Sequence, residues 1–125
     1  MKLLDTSVAI DHLRGFPPAV DLLYALLVDD VELAASEVVR FELLSGVRDD
    51  EIEHLELFCS TLTWIPITRD VTRHAGAMAR RYPASLSGIG VADYLIAATA
   101  SILEADLLTL NVRHFPMLEN VRAAY

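Results

Sequence analysis

With 125 residues and 54% hydrophobic content, the chain is the size of one domain and can build a core without staples, so disorder is excluded. Its 18 acidic residues outnumber the 10 basic ones, and a formal net charge of -8 argues against gripping nucleic acid by overall charge alone. No apolar run reaches the roughly 20 residues of a membrane span, no signal-peptide pattern opens the chain, and Cys59 stands alone, so a cytoplasmic protein without disulfides or a cysteine zinc site is expected.

The first element is a short apolar strand, Lys2-Leu3-Leu4. Asp5-Thr6-Ser7 follows and can cap a helix, which Val8, Ile10 and Leu13 continue until Gly15. Pro17-Pro18 restarts the chain at a favoured first-turn position, and Ala19 to Val28 is apolar on most faces, which predicts a buried helix. Glu32 to Ala35 is a weak strand. Ser36 caps a helix running through EVVRFELLSG to Gly46, and residues 49–61 form an amphipathic helix with solvated acids. TLTWIPI, with an isolated proline, predicts an outer strand.

Residues 70–82 predict a further helix, stopped before Pro83, and PASLSGIG a loop. Its Gly88-Ile89-Gly90 lacks the third glycine and preceding strand of a dinucleotide loop. VADYLIAATASILEAD is the plainest helix of the chain. LLTL then predicts a buried strand, and VRAAY a last short edge strand. Strands alternating with helices predict an α/β fold with a parallel sheet covered on both faces, in which ligands sit beyond the carboxyl ends of the strands.

Asp5 would lie at such an end, as a helix cap or as a metal ligand. Glu42 sits among Val38, Val39, Leu43 and small residues, either at the edge of the packed stripe or partly buried with a partner. Asp93 stands near a helix start, where the helix dipole favours an acid. Were the three to converge, each pair about 4 Å apart would repel by about 4 kcal/mol at an effective dielectric near 20. A divalent cation would relieve this, and oxygen-only donors suit magnesium or manganese. Such a site suits phosphodiester hydrolysis.

Four segments in order, LLDTSVAID, SEVVRFELLSG, DYLIAATA and LLTLNVRHF, resemble the motifs of PIN-domain proteins, and more narrowly of VapC-type toxins of type II toxin–antitoxin pairs. The likeness runs nearly the whole length. It implies one PIN domain over residues 1–125, built as a three-layer α/β/α sandwich around a mainly parallel sheet. It also implies a magnesium-dependent ribonuclease, with manganese able to substitute, that cuts RNA and is inhibited by a VapB-type antitoxin. A homodimer is implied, and with antitoxin a heterotetramer or larger complex, away from any membrane.

Carried onto this chain, the resemblance makes Asp5 and Asp93 the principal metal ligands. Glu42 completes the acidic cluster, directly or through water, and Thr6 orients Asp5 or a substrate phosphate. Many PIN domains carry another acid in the last motif, where this chain has Asn111, which can position a ligand or water but adds no charge. His114, with a reference pKa near neutrality, could protonate a leaving oxygen, but a structural or surface role is the leading expectation; Arg113 reads equally as a phosphate contact or a solvated charge.

A PIN domain that binds RNA or a protein without cutting is the rival reading, and a DNA-directed nuclease would use the same site chemistry. Leu22, Leu23, Tyr24, Leu26, Leu27, Phe41, Leu43 and Leu44 offer more apolar surface than one small core needs. They predict a groove between the first helices that takes an antitoxin segment.

Overall fold

The structure, a computed structural model, describes residues 1–125 apart from the side chain of Leu86. Four strands, β1 (Lys2–Leu4), β2 (Leu33–Ser36), β3 (Thr63–Ile65) and β4 (Asp106–Leu108), form one sheet in the order β3-β2-β1-β4. Every pairing is parallel. The helices are α1 (Thr6–Leu13), α2 (Pro17–Val28), α3 (Glu37–Gly46), α4 (Ile52–Cys59), α5 (Arg69–Arg81) and α6 (Val91–Leu103).

Successive residues of a strand point to opposite faces of its sheet. Leu3 and Leu4 are both fully buried, as are Ala34 and Ala35 of β2, so both faces are covered. This is the α/β/α sandwich that the sequence predicts. The main core gathers these residues with Val8, Val39, Leu55, Ile96 and Phe115, and a smaller cluster of Val71, Ala75, Ile89, Tyr94 and Ala98 joins α5 to α6. Cys59 is buried in the main core.

Two expectations change. VRAAY is not a strand: Thr109 and Ala123 form one isolated parallel bridge, because a 3-10 turn at Val112–His114 carries the chain away from the sheet before it returns. The second helix is not buried either. Only Ala19 and Leu23 of α2 are buried, while Tyr24, Leu27 and Val28 are each about two-thirds exposed. Its main partner is α1, reached through Gly15 at φ 76°, a left-handed conformation that costs glycine little. Among the described residues no helix is long and apolar enough to cross a membrane.

Candidate active site

β1 stops at Leu4, where Leu108 of β4 stands opposite, so the next residues along the two strands, Asp5 and Thr109, meet at the carboxyl edge of the sheet. Asp5 takes extended backbone angles and caps α1, its Oδ1 accepting from the Thr6 N–H at 2.8 Å. Its Oδ2 accepts from the Thr109 hydroxyl at 2.6 Å and the Ser7 hydroxyl at 3.2 Å. Asp5 thus fills the capping role, and both of its oxygens are engaged by donors.

Asp5 is only 3% exposed. Burial pushes its carboxyl above the usual range; the bonds from Thr109, Thr6 and Ser7 pull it back, and the charge of Asp93 presses upward again. The hydroxyls hold the network in register with β4: Thr109 Oγ1 also accepts from the Asn111 N–H at 2.9 Å, and Ser7 Oγ from the Leu110 N–H at 3.2 Å.

Glu42 is half-buried on α3 and has a partner: the Thr6 hydroxyl donates to its Oε1 at 2.6 Å. Thr6 therefore bridges two acids, with its N–H on Asp5 and its hydroxyl on Glu42. Asp93, in the first turn of α6, accepts from the Gly90 N–H at 2.8 Å, which fixes the helix start. Its Oδ2 also lies 3.3 Å from His114 Nδ1. His114, for which the sequence favours a structural or surface role over proton transfer, is in contact with the acidic site.

Asn111 is exposed, and its backbone N–H supplies its contact with the network. Arg113 beside it is exposed as well. Thr109 and the positioning role of Ser7 escaped the sequence reading. The available signal was a hydroxyl in the otherwise apolar run LLTL, on the strand that pairs with the one bearing Asp5.

Asp5, Asp93 and Glu42 offer hard carboxylate oxygens, the donor type that magnesium and manganese take. The buried charge of Asp5 and the pressure of Asp93 on it are what a cation would offset, so the donor set fits the ion. The acids are turned toward internal partners, and among the described residues no three His, Cys, Asp or Glu side chains are already gathered around an ion-sized space. Binding would require Glu42 to give up or share its hydrogen bond from Thr6, and Asp93 its contact with His114.

Two cavities share Leu13 of α1 in their lining. One, of about 310 Å³, reaches Glu42 and is lined also by Ile10, Arg14, Leu43 and Leu55. The larger, about 490 Å³, runs between α1, α2 and α4 and is lined by His12, Leu23, Tyr24, Leu27, Leu57 and Phe58. Of the residues predicted to form a groove it takes in Leu23, Tyr24 and Leu27, all on α2. Phe41 and Leu44 of α3 do not line it, and they stay exposed elsewhere on the surface.

A profile of the PIN domain matches residues 2–118. The chain belongs to the PIN-domain family. Across its full length it is 54% identical to Ribonuclease VapC19 of Mycobacterium tuberculosis, all of whose chain is covered. It is 42% identical to Ribonuclease VapC10 of the same organism, covering all of this chain and 93% of the other. Among solved structures, a toxin–antitoxin complex from Klebsiella pneumoniae superposes with a TM-score of 0.84 at 25% identity, covering 100% of this chain and 98% of that one. Within the PIN family this chain is of the VapC type.

Proposed function

We propose that this VapC-type protein is a divalent-metal-dependent endoribonuclease toxin, working with magnesium or manganese and held in check by a VapB-type antitoxin. The observation that carries the reading is Asp5: a carboxylate kept buried at the carboxyl edge of a parallel sheet, held by three donors, with the charge of Asp93 pressing on it. An acid so placed has an energetic reason to bind a cation. The VapC relatives, which carry the name ribonuclease, support the choice of RNA.

Asp5 and Asp93 would be the principal ligands, with Glu42 completing the set directly or through water. A bound divalent ion lowers the pKa of an attacking water and offsets the charge developing on the phosphodiester. The chain's own residues do the rest. Thr109 and Ser7 hold Asp5 in one rotamer, and Thr6 keeps Glu42 in step with it. Gly90 anchors Asp93. The exposed amide of Asn111 can hydrogen-bond a water or a phosphate oxygen without adding charge.

The groove between α1, α2 and α4 would take an apolar antitoxin segment, and the exposed Tyr24 and Leu27 are its natural anchors. The same reading extends to one PIN domain over residues 1–125 that dimerises in the cytoplasm and forms a heterotetramer or larger complex with antitoxin. The test is cleavage of RNA in magnesium by toxin stripped of antitoxin. Asp93→Asn should fold and bind antitoxin but neither cut RNA nor arrest growth, and unimpaired cleavage by the folded variant overturns the assignment.

A second reading, a PIN domain that binds RNA or a partner without cutting, is favoured by Asn111 in place of an acid and by acids turned to internal partners. Calorimetry separates the two. Manganese binding in the micromolar range supports the nuclease, whereas no binding near millimolar concentration, with intact RNA, supports the second reading.

A further inference from the structure

Charge is spread unevenly along the chain. Residues 1–68 carry 13 acids and four basic residues, whereas residues 69–125 carry five acids and six arginines. Four of those arginines, Arg69, Arg73, Arg80 and Arg81, lie on α5 beside a single acid, Asp70. At 3.6 residues per turn, Arg69, Arg73 and Arg80 fall within an arc of about 40°. Val71 and Ala75, the buried residues of the helix, lie on the opposite side. Gly76 shares the arginine stripe, and Arg80 folds along it, with Nη1 3.9 Å from where a Gly76 Cβ would stand.

The three arginines are exposed and make no ion pair among the described residues, unlike Lys2, Arg40 and Arg48. Their charge therefore acts outward. None of the large exposed apolar side chains lies on α5, so this face lacks the anchors that a protein partner or a membrane surface uses. The stripe is straight, about 16 Å long and made of separate guanidinium forks, which matches a chain of phosphates better than a single ligand. The Tyr94 hydroxyl donates to the Tyr82 carbonyl, tying the end of α5 to the start of α6, one residue from Asp93.

We infer that the outward face of α5 is a backbone track on which Arg69, Arg73 and Arg80 hold phosphates of an RNA strand and lead it toward Asp93. The inference rests on the RNA-cutting reading for its choice of nucleic acid. It also answers a problem of charge: a protein at -8 with an acidic centre repels RNA, and a local basic stripe supplies the missing attraction.

The test compares the wild-type toxin with the triple variant Arg69→Gln, Arg73→Gln, Arg80→Gln and with its triple lysine counterpart. Binding of an unstructured RNA of about 20 nucleotides is followed by anisotropy in EDTA over a potassium chloride series, which separates binding from cleavage. The glutamine variant should bind roughly tenfold or more weakly near 0.1 M salt, with a salt slope shallower by about 2, since each lost phosphate contact removes roughly 0.7 on a single strand. The lysine variant should keep the slope. In magnesium, the loss should fall on KM and grow with strand length. Wild-type affinity and slope in a folded glutamine variant overturn the inference, and so does a loss confined to antitoxin binding. A wild-type protein that binds RNA through the stripe without cutting it overturns the nuclease reading and leaves the track in place.

Discussion

Thr109 donates its hydroxyl to Asp5 Oδ2 at 2.6 Å, and both residues are buried where two adjacent parallel strands end. The Thr109 hydroxyl oxygen in turn accepts the Asn111 N–H, so one hydroxyl fixes the acid and the turn that follows β4. Thr109→Val keeps the shape and removes both bonds, leaving a buried carboxylate and a backbone N–H short of partners. It should cost about 1–3 kcal/mol of stability by urea denaturation and reduce RNA cleavage by roughly tenfold or more. Thr109→Ser should recover most of both. A valine variant as stable and active as the parent would show that the hydroxyl holds nothing that matters.

Thr6 plays the corresponding part on the other side of Asp5, its hydroxyl held by Glu42 at 2.6 Å. Glu42 is half-buried, so losing this bond should change stability by less than about 1 kcal/mol. Activity should suffer more than the fold. Thr6→Val is expected to lower cleavage roughly tenfold and weaken manganese binding by calorimetry, with Thr6→Ser restoring both. Parental cleavage and manganese binding in the valine variant would show that the hydroxyl does not serve the site.

What the sequence discloses about this site follows from how local each relationship is. Asp5 is legible because a strand ending in Asp-Thr-Ser announces both a sheet edge and a helix cap within a few residues. The partner of Glu42 is not, since Thr6 lies 36 positions away and meets it only after β1 and β2 pair. His114 is harder still. Its contact with Asp93 depends on a 3-10 turn folding back over the start of α6. The exposure of α2 is hidden from the sequence for a similar reason: apolar residues around a whole helix imply burial somewhere, and in this structure part of that surface lines an open groove.

That groove yields a prediction that leaves the acidic site alone. Leu27 is about two-thirds exposed, so Leu27→Asp should hardly disturb the fold, while placing a charge where an apolar partner segment would sit. A buried anchor lost at the centre of an interface costs about 2 kcal/mol or more, or roughly thirtyfold in affinity. The antitoxin should therefore neutralise this variant poorly when the two are titrated together. Neutralisation at the parental concentration of antitoxin would move the partner's footprint off this groove.

His12, in the lining of that groove, makes folding stability depend on pH. Its ring stacks on Phe58 with centroids 4.9 Å apart, and its Nδ1 is buried without a partner among the described residues. Burial, and then the nearby His54, push its pKa below the ordinary 6.5. The unfolded chain then takes up its proton first as pH falls through 6.5, so the folded state loses stability from there down to the lower folded pKa and no further below it. Above that window the contribution is fully present. Urea denaturation at a series of pH values should show the parent losing stability below 6.5 relative to His12→Phe, which keeps an aromatic ring against Phe58 and has no proton to gain. A stability difference between the two that stays constant across the series would mean that His12 titrates alike in both states.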